Sequence, residues 1–167
     1  MNILRISTAI LIYLTSLTAS AEEFRVLDLA PHSVQSDTPW VQVITDQEQW
    51  LEFYYARLLG CPTVYTTAIP PETDPCALPE PLIDFETQQV VVGGLGVKPS
   101  TAFSILVSGV SISEDGQEVI QVVDYERCVG LTVMDYPMAA VVVSNKGLPI
   151  RVNVVEALEK CEESTPN

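Results

Sequence analysis

Four cysteines, Cys61, Cys76, Cys128 and Cys161, are the residues of this chain best suited to chemistry. No two of them have the C-x-x-C spacing of a typical zinc site, so disulfides are the favoured interpretation. Four cysteines allow three pairings, and proximity in sequence favours Cys61 with Cys76, which leaves Cys128 with Cys161. We therefore expect two disulfides and no metal site.

Other catalytic arrangements are poorly represented in the sequence. His32 is the single histidine, and no nucleophile motif accompanies it. Asp84 and Glu86 flank Phe85, and on a strand their carboxylates would share one face, as in a glycosidase pair. Acidic residues number 22, however, so such a pair also arises by chance. The sequence favours a binding function without a cofactor, and a carboxylate-dependent hydrolase is the alternative.

The first 21 residues have the pattern of a signal peptide. A basic start that includes Arg5 precedes an apolar run, residues 6–17, that is too short to span a bilayer. Ala19-Ser20-Ala21 then fits the small-x-small rule for cleavage, and no lipoprotein cysteine follows. We expect a mature domain of residues 22–167 that is periplasmic or secreted, with its cysteines in an oxidising compartment.

The formal net charge of the chain is −14 at pH 7. A field of this sign repels nucleic acid and anionic lipid, so neither is an expected partner. Beyond the signal segment, no apolar run is long enough to cross a bilayer, which predicts no membrane insertion after cleavage.

Apolar periodicity predicts an α+β fold that is mainly β, with one helix in the N-terminal half. The sheet is expected to be largely antiparallel, and a sandwich is one arrangement that fits it. The helix is predicted over residues 46–59, with Thr45 as N-cap, Glu48 completing a capping box and Gly60 as terminator. An Asp115-Gly116 turn predicts a hairpin. The predicted strands are residues 24–29, 40–44, 90–92, 103–108, 119–125, 138–143 and 150–155.

Residues 61–81 hold six of the chain's 12 prolines and show no apolar period. A disulfide between Cys61 and Cys76 would close much of this segment into a preorganised loop that presents Tyr65 and Ile69 as contact residues. Packing of the loop onto the sheet is the simpler interpretation. A protease inhibitor that presents this loop is a further alternative.

Residues 50–155 resemble the C-terminal domain of the protease complex subunit PrcB family. Three features occur in the family's order: a helix that contains Trp50, then Ile83-Asp84-Phe85, then Gln89-Val90-Val91-Val92. Residues 96–105, Gly-Val-Lys-Pro-Ser-Thr-Ala-Phe-Ser-Ile, resemble its G-x-x-P-T-G-G-Y-x-I element, and Tyr136-Pro137 precedes the apolar run 139–143 as in its P-x-x-x-V step. Ala102-Phe103 stands where the family usually has Gly-Tyr.

The resemblance implies a non-catalytic partner role beside an exported protease. Within the matching stretch, Gly94, Gly96, Lys98 and Phe103 are the candidate interaction residues. The glycine-rich turn at residues 93–96 is either a binding site or only a bend at the sheet edge. For Phe103, strand alternation with Ile105 and Val107 predicts instead a ring that enters the core with theirs.

Overall fold

The computed structural model of the chain describes residues 23–29, 33–61, 76 and 80–159. Within them one helical segment, a four-stranded sheet and a three-stranded sheet are stacked as three layers. The α+β, mainly β prediction is therefore confirmed. The predicted signal peptide, His32, Tyr65, Ile69 and Cys161 lie outside the described residues.

Seven strands make up the two sheets. In the first sheet the order is β1-β6-β3-β2 and every pairing is antiparallel. In the second sheet the order is β4-β5-β7, with β4 and β5 antiparallel and β5 and β7 parallel. The strands in chain order are β1 (Arg25–Leu27), β2 (Trp40–Ile44), β3 (Gln88–Gly94), β4 (Phe103–Ile112), β5 (Glu118–Glu126), β6 (Met138–Ser144) and β7 (Ile150–Leu158).

The two central strands of the first sheet, β3 and β6, are buried on both faces. Val90 and Val142 pair and face the helix, whereas Val91 and Val141 pair and face the second sheet. Alternate residues of a strand point to opposite faces, so a strand covered on both sides is apolar on both faces except where a polar side chain is paired, as Gln89 is with Glu118. This explains the unbroken apolar runs at residues 90–92 and 138–143.

The helix begins one residue later than predicted. The carboxylate of Asp46 accepts a hydrogen bond from the Gln49 amide at 2.8 Å, so Asp46, not Thr45, caps the helix. The helix α1 (Gln47–Leu51) continues directly as a π-helical segment, Glu52–Leu58. Gly60 follows with φ +68°, which confirms the predicted termination.

An aromatic cluster joins the helical segment to the first sheet. Trp50 is fully buried, and its ring centroid lies 5.9 Å from Phe53 and 5.4 Å from Tyr54. The cluster packs on the sheet face that carries Ile44 and Val92. Burial, with the nearby Glu80 carboxylate adding to it, raises the pKa of Tyr54. This layer is the apolar anchor of the helix.

Cys61 and Cys76 form the predicted disulfide, with an S–S distance of 2.01 Å. The partner predicted for Cys128, Cys161, is outside the described residues. The Cys128 amide donates to the Glu159 carboxylate at 2.9 Å, and the Cys128 Sγ lies 3.6 Å from the Glu159 carbonyl oxygen. Position 161 is only two residues beyond Glu159, which favours the predicted pairing.

We therefore expect proteolytic mapping without reduction to yield one peptide pair that contains Cys128 and Cys161. A chain-entropy argument predicts a bridge of this span to stabilise the fold by about 3–4 kcal/mol. A pair linking Cys128 to either of the other two cysteines would contradict the assignment.

The β3–β4 and β5–β6 connections carry the chain between the two sheets at one end of the strands. A third connection does so at the opposite end. The third, residues 145–149, leads from β6 to β7 across the sandwich and contains Gly147 with φ +65°. Neither helical element of the described residues has the length and apolarity that a membrane span requires.

Candidate functional site

Residues 95–102, which join β3 to β4, and residues 127–137, which join β5 to β6, run side by side. The amide of Lys98 donates to the Asp135 carbonyl at 2.8 Å, and the Asp135 amide donates back to Lys98 at 2.9 Å. The Thr101 amide donates to the Leu131 carbonyl at 3.1 Å. The segment that resembles the PrcB family element is therefore a platform for the second connection.

Four large apolar side chains of the second connection are exposed to solvent. Their exposed fractions are 84% for Val129, 70% for Leu131, 50% for Val133 and 75% for Met134. Scattered exposed apolar residues are ordinary, but four within six residues are a local concentration, and concentrated exposed apolar surface is typical of an interaction site. We call residues 129–134 the apolar loop.

Hydrogen bonds hold the backbone of the apolar loop in place. The Leu131 amide donates to the Thr101 hydroxyl at 2.8 Å, and the Val133 amide donates to the Leu131 carbonyl at 2.9 Å. Gly130 lies so close to the platform that a Cβ there would be 2.3 Å from the Ala102 nitrogen. A loop fixed in this way loses little entropy when it is bound, so its apolar side chains are preorganised for contact.

Lys98 and Phe103, both predicted interaction residues, contact each other at the start of β4. The Lys98 ammonium lies 4.7 Å from the centroid of the Phe103 ring and 2.9 Å from an Asp124 carboxylate oxygen. Phe103, Ile105 and Val107 are all partly buried, but only Ile105 and Val107 pack against the core cluster between the sheets, and Phe103 belongs to neither core cluster. The prediction of Phe103 as a core anchor was therefore wrong, because β4 begins at Phe103, where Lys98 covers the ring.

Gly94 and Gly96 are close-packing positions at the edge of the first sheet. A Cβ on Gly94 would lie 2.8 Å from the indole nitrogen of Trp40. Gly96 has φ +77°, and a Cβ there would lie 2.8 Å from the backbone carbon of Thr38. Of the two alternatives for the glycine-rich turn, these contacts support the structural bend.

Asp84 and Glu86, the candidate hydrolase pair, are in a turn before β3 and not on a strand. The Asp84 carboxylate accepts hydrogen bonds from the Glu86 amide at 3.1 Å and the Thr87 hydroxyl at 2.8 Å. Asp84 thus stabilises the turn by the Asx mechanism, and its predicted placement on a strand face was wrong. No cluster of three or more histidine, cysteine or acidic side chains in the described part of the chain is positioned to hold a metal ion.

The segments that flank the apolar loop carry carboxylates. Asp135 follows the loop directly, and Glu126 lies shortly before it. Glu159 joins them, since its amide donates to the Glu126 carbonyl at 2.9 Å and its carboxylate accepts from Cys128. The exposed Arg127 lies among these three carboxylates, so the rim of the loop is acidic only on balance. An apolar surface with such a rim complements a partner whose apolar pocket has basic groups around it.

Sequence reasoning did not identify the apolar loop. Its alternation of Val129, Leu131 and Val133 is the pattern of a half-buried strand, and only tertiary structure reveals that no layer covers it. No protein-family model, curated protein or solved structure matched the chain. The resemblance to the PrcB family therefore stays a prediction.

Proposed function

We propose that this chain is an exported, non-enzymatic domain that binds another protein through the apolar loop. The observation that carries the proposal is the exposure of Val129, Leu131, Val133 and Met134 on a backbone fixed by hydrogen bonds. Preorganised apolar side chains of this kind act as anchors that fill a pocket on the partner. The Cys61–Cys76 disulfide is compatible with export to an oxidising compartment.

Charge favours a protein over the other apolar surfaces that such a loop could enter. The chain has a net charge of −14, which repels anionic membranes. A second copy carries the same charge and would bring the same acidic rim to the interface. A protein with an apolar pocket and a basic rim has neither disadvantage.

The resemblance to the PrcB family extends the proposal to an exported protease as the partner. One of the elements that carry the resemblance, residues 96–105, includes the residues that hold the apolar loop by hydrogen bonds. The domain would then stabilise or regulate the protease without contributing a catalytic group.

Replacement of Leu131 by aspartate tests the loop, with Leu82→Asp as the matched control. Leu131 is 70% exposed and Leu82 is 90% exposed, so neither change should alter the thermal unfolding temperature much. In native co-purification with quantitative mass spectrometry, Leu131→Asp should lower partner affinity by about 30-fold or more, as loss of an interface anchor does. Leu82→Asp should leave it unchanged.

Three results would contradict the proposal. If the two variants recover every co-purifying protein in equal amounts, the apolar loop is not the contact surface. Binding to neutral or anionic vesicles that depends on Leu131 would make the loop a membrane contact, and a dimer dissociated by Leu131→Asp would make the partner a second copy.

A further inference from the structure

A cavity of about 230 Å³ lies between the two sheets, away from the apolar loop. Six strands contribute to its wall, and every lining residue of the described chain is apolar or glycine. Its floor and roof include Val91 and Val141 of the first sheet and Ile105 and Val152 of the second. Natural cores are packed closely, so an apolar space of this size between two sheets is a candidate ligand site.

The cavity opens at one side of the sandwich, between the edge strands β2 and β7. Val41 of β2 is 54% exposed and Val154 of β7 is 51% exposed, although both line the cavity. In their sheets each of these strands has a described neighbour on one side only. Among the described residues, the second sheet therefore leaves part of the first sheet's inner face uncovered, and the cavity is open on this side.

We propose that this cavity binds the uncharged alkyl tail of a small amphiphile. No ionisable side chain of the described residues lines it, so a charged group inside would remain unpaired at high cost. An engineered apolar cavity of roughly 150 Å³ stays dry and takes up benzene. The larger cavity here accommodates a longer apolar group, and the open side leaves the polar head of the ligand in water.

Primary alcohols of increasing chain length test the proposal on the full exported protein. Binding is measured by titration with 1-butanol, 1-hexanol and 1-octanol while methyl NMR signals are recorded. Each buried methylene should strengthen binding by about fourfold until the tail fills the cavity, after which affinity levels off. The shifted methyl signals should belong to lining residues such as Ile105 and Val152 and not to the exposed Leu106.

Two tryptophan variants on one strand form a matched pair. Val152 lines the cavity, and Val155 of the same strand is 52% exposed and does not line it. Val152→Trp fills cavity volume and should weaken octanol binding by about tenfold or more, the equivalent of two buried methylenes. Val155→Trp should leave octanol binding unchanged.

A third variant tests the open side without disturbing the core. Val41→Lys places a cation at the mouth of the cavity, so octanoate should gain affinity relative to octanol. Val26→Lys, on the opposite edge strand and 50% exposed, is its control and should not change the ratio. The proposal is overturned if no alkanol shifts the methyl signals of the lining residues, or if Val152→Trp and Val155→Trp change octanol affinity equally. It is also overturned if Val41→Lys leaves the ratio of octanoate to octanol affinity unchanged.

Discussion

Trp50→Ala should lower the free energy of unfolding by about 3–5 kcal/mol, since it removes a fully buried aromatic side chain. The ring stacks on Phe53 and lies against Tyr54, so alanine leaves a cavity at the centre of the helix–sheet contact. A loss of this size is a large part of the stability of an ordinary domain. Chemical denaturation monitored by circular dichroism measures it.

Leu51→Ala is the matched control for Trp50→Ala. Leu51 is the next residue of α1 and is 37% exposed, so its truncation should cost less than about 1 kcal/mol. Alanine has the highest helix propensity, so a loss of stability in either variant must come from lost packing. Equal losses from both changes would show that burial of the indole does not determine the effect. That result would contradict the packing described for this layer.

Gly130→Ala should displace the apolar loop. The added Cβ would lie 2.3 Å from the nitrogen and 2.7 Å from the Cα of Ala102, and backbone atoms cannot move aside as a flexible side chain can. Separation of the two segments would break the bonds between Thr101 and Leu131. We expect a loss of stability of roughly 1–3 kcal/mol, typical of overpacking, together with a fall in partner affinity of about tenfold or more.

Gly109→Ala is the control for Gly130→Ala. A Cβ on Gly109 would meet no atom within 4 Å, so the same change should have little effect on either stability or binding. Unfolding temperature and partner affinity are measured for both variants. An alanine at position 130 that leaves binding intact would mean that the loop conformation is irrelevant to the interaction.

The local elements could be predicted from sequence because they follow from short-range patterns. Residues 40–44 form a strand as predicted, the hairpin turns at Gly116, and the helical segment ends before Gly60. Alternation and capping are local, so a single sequence is sufficient to reveal them. The π-helical turn from Glu52 was not predicted, because its apolar spacing resembles that of an α-helix.

The arrangement of these elements in space cannot be predicted from local sequence patterns. The strands β5 and β7 pair in parallel although their paired residues are some 30 positions apart in sequence. The turn at residues 145–147 does not reveal to which sheet the next strand belongs. Exposure is likewise a tertiary property. For this reason local patterns place Phe103 in the core and Asp84 and Glu86 on a strand, and they do not reveal that the apolar loop is exposed.

Photo-cross-linking from position 131 tests the protein-binding proposal most directly. Leu131 is replaced by p-benzoylphenylalanine in the full chain, expressed in its native host, and Leu82 is replaced in the same way as control. The proposal predicts a cross-linked adduct with another protein from position 131 and none from position 82. Adducts from position 131 that contain only lipid or a second copy of the chain, equal adducts from both positions, or no adduct at all would contradict it.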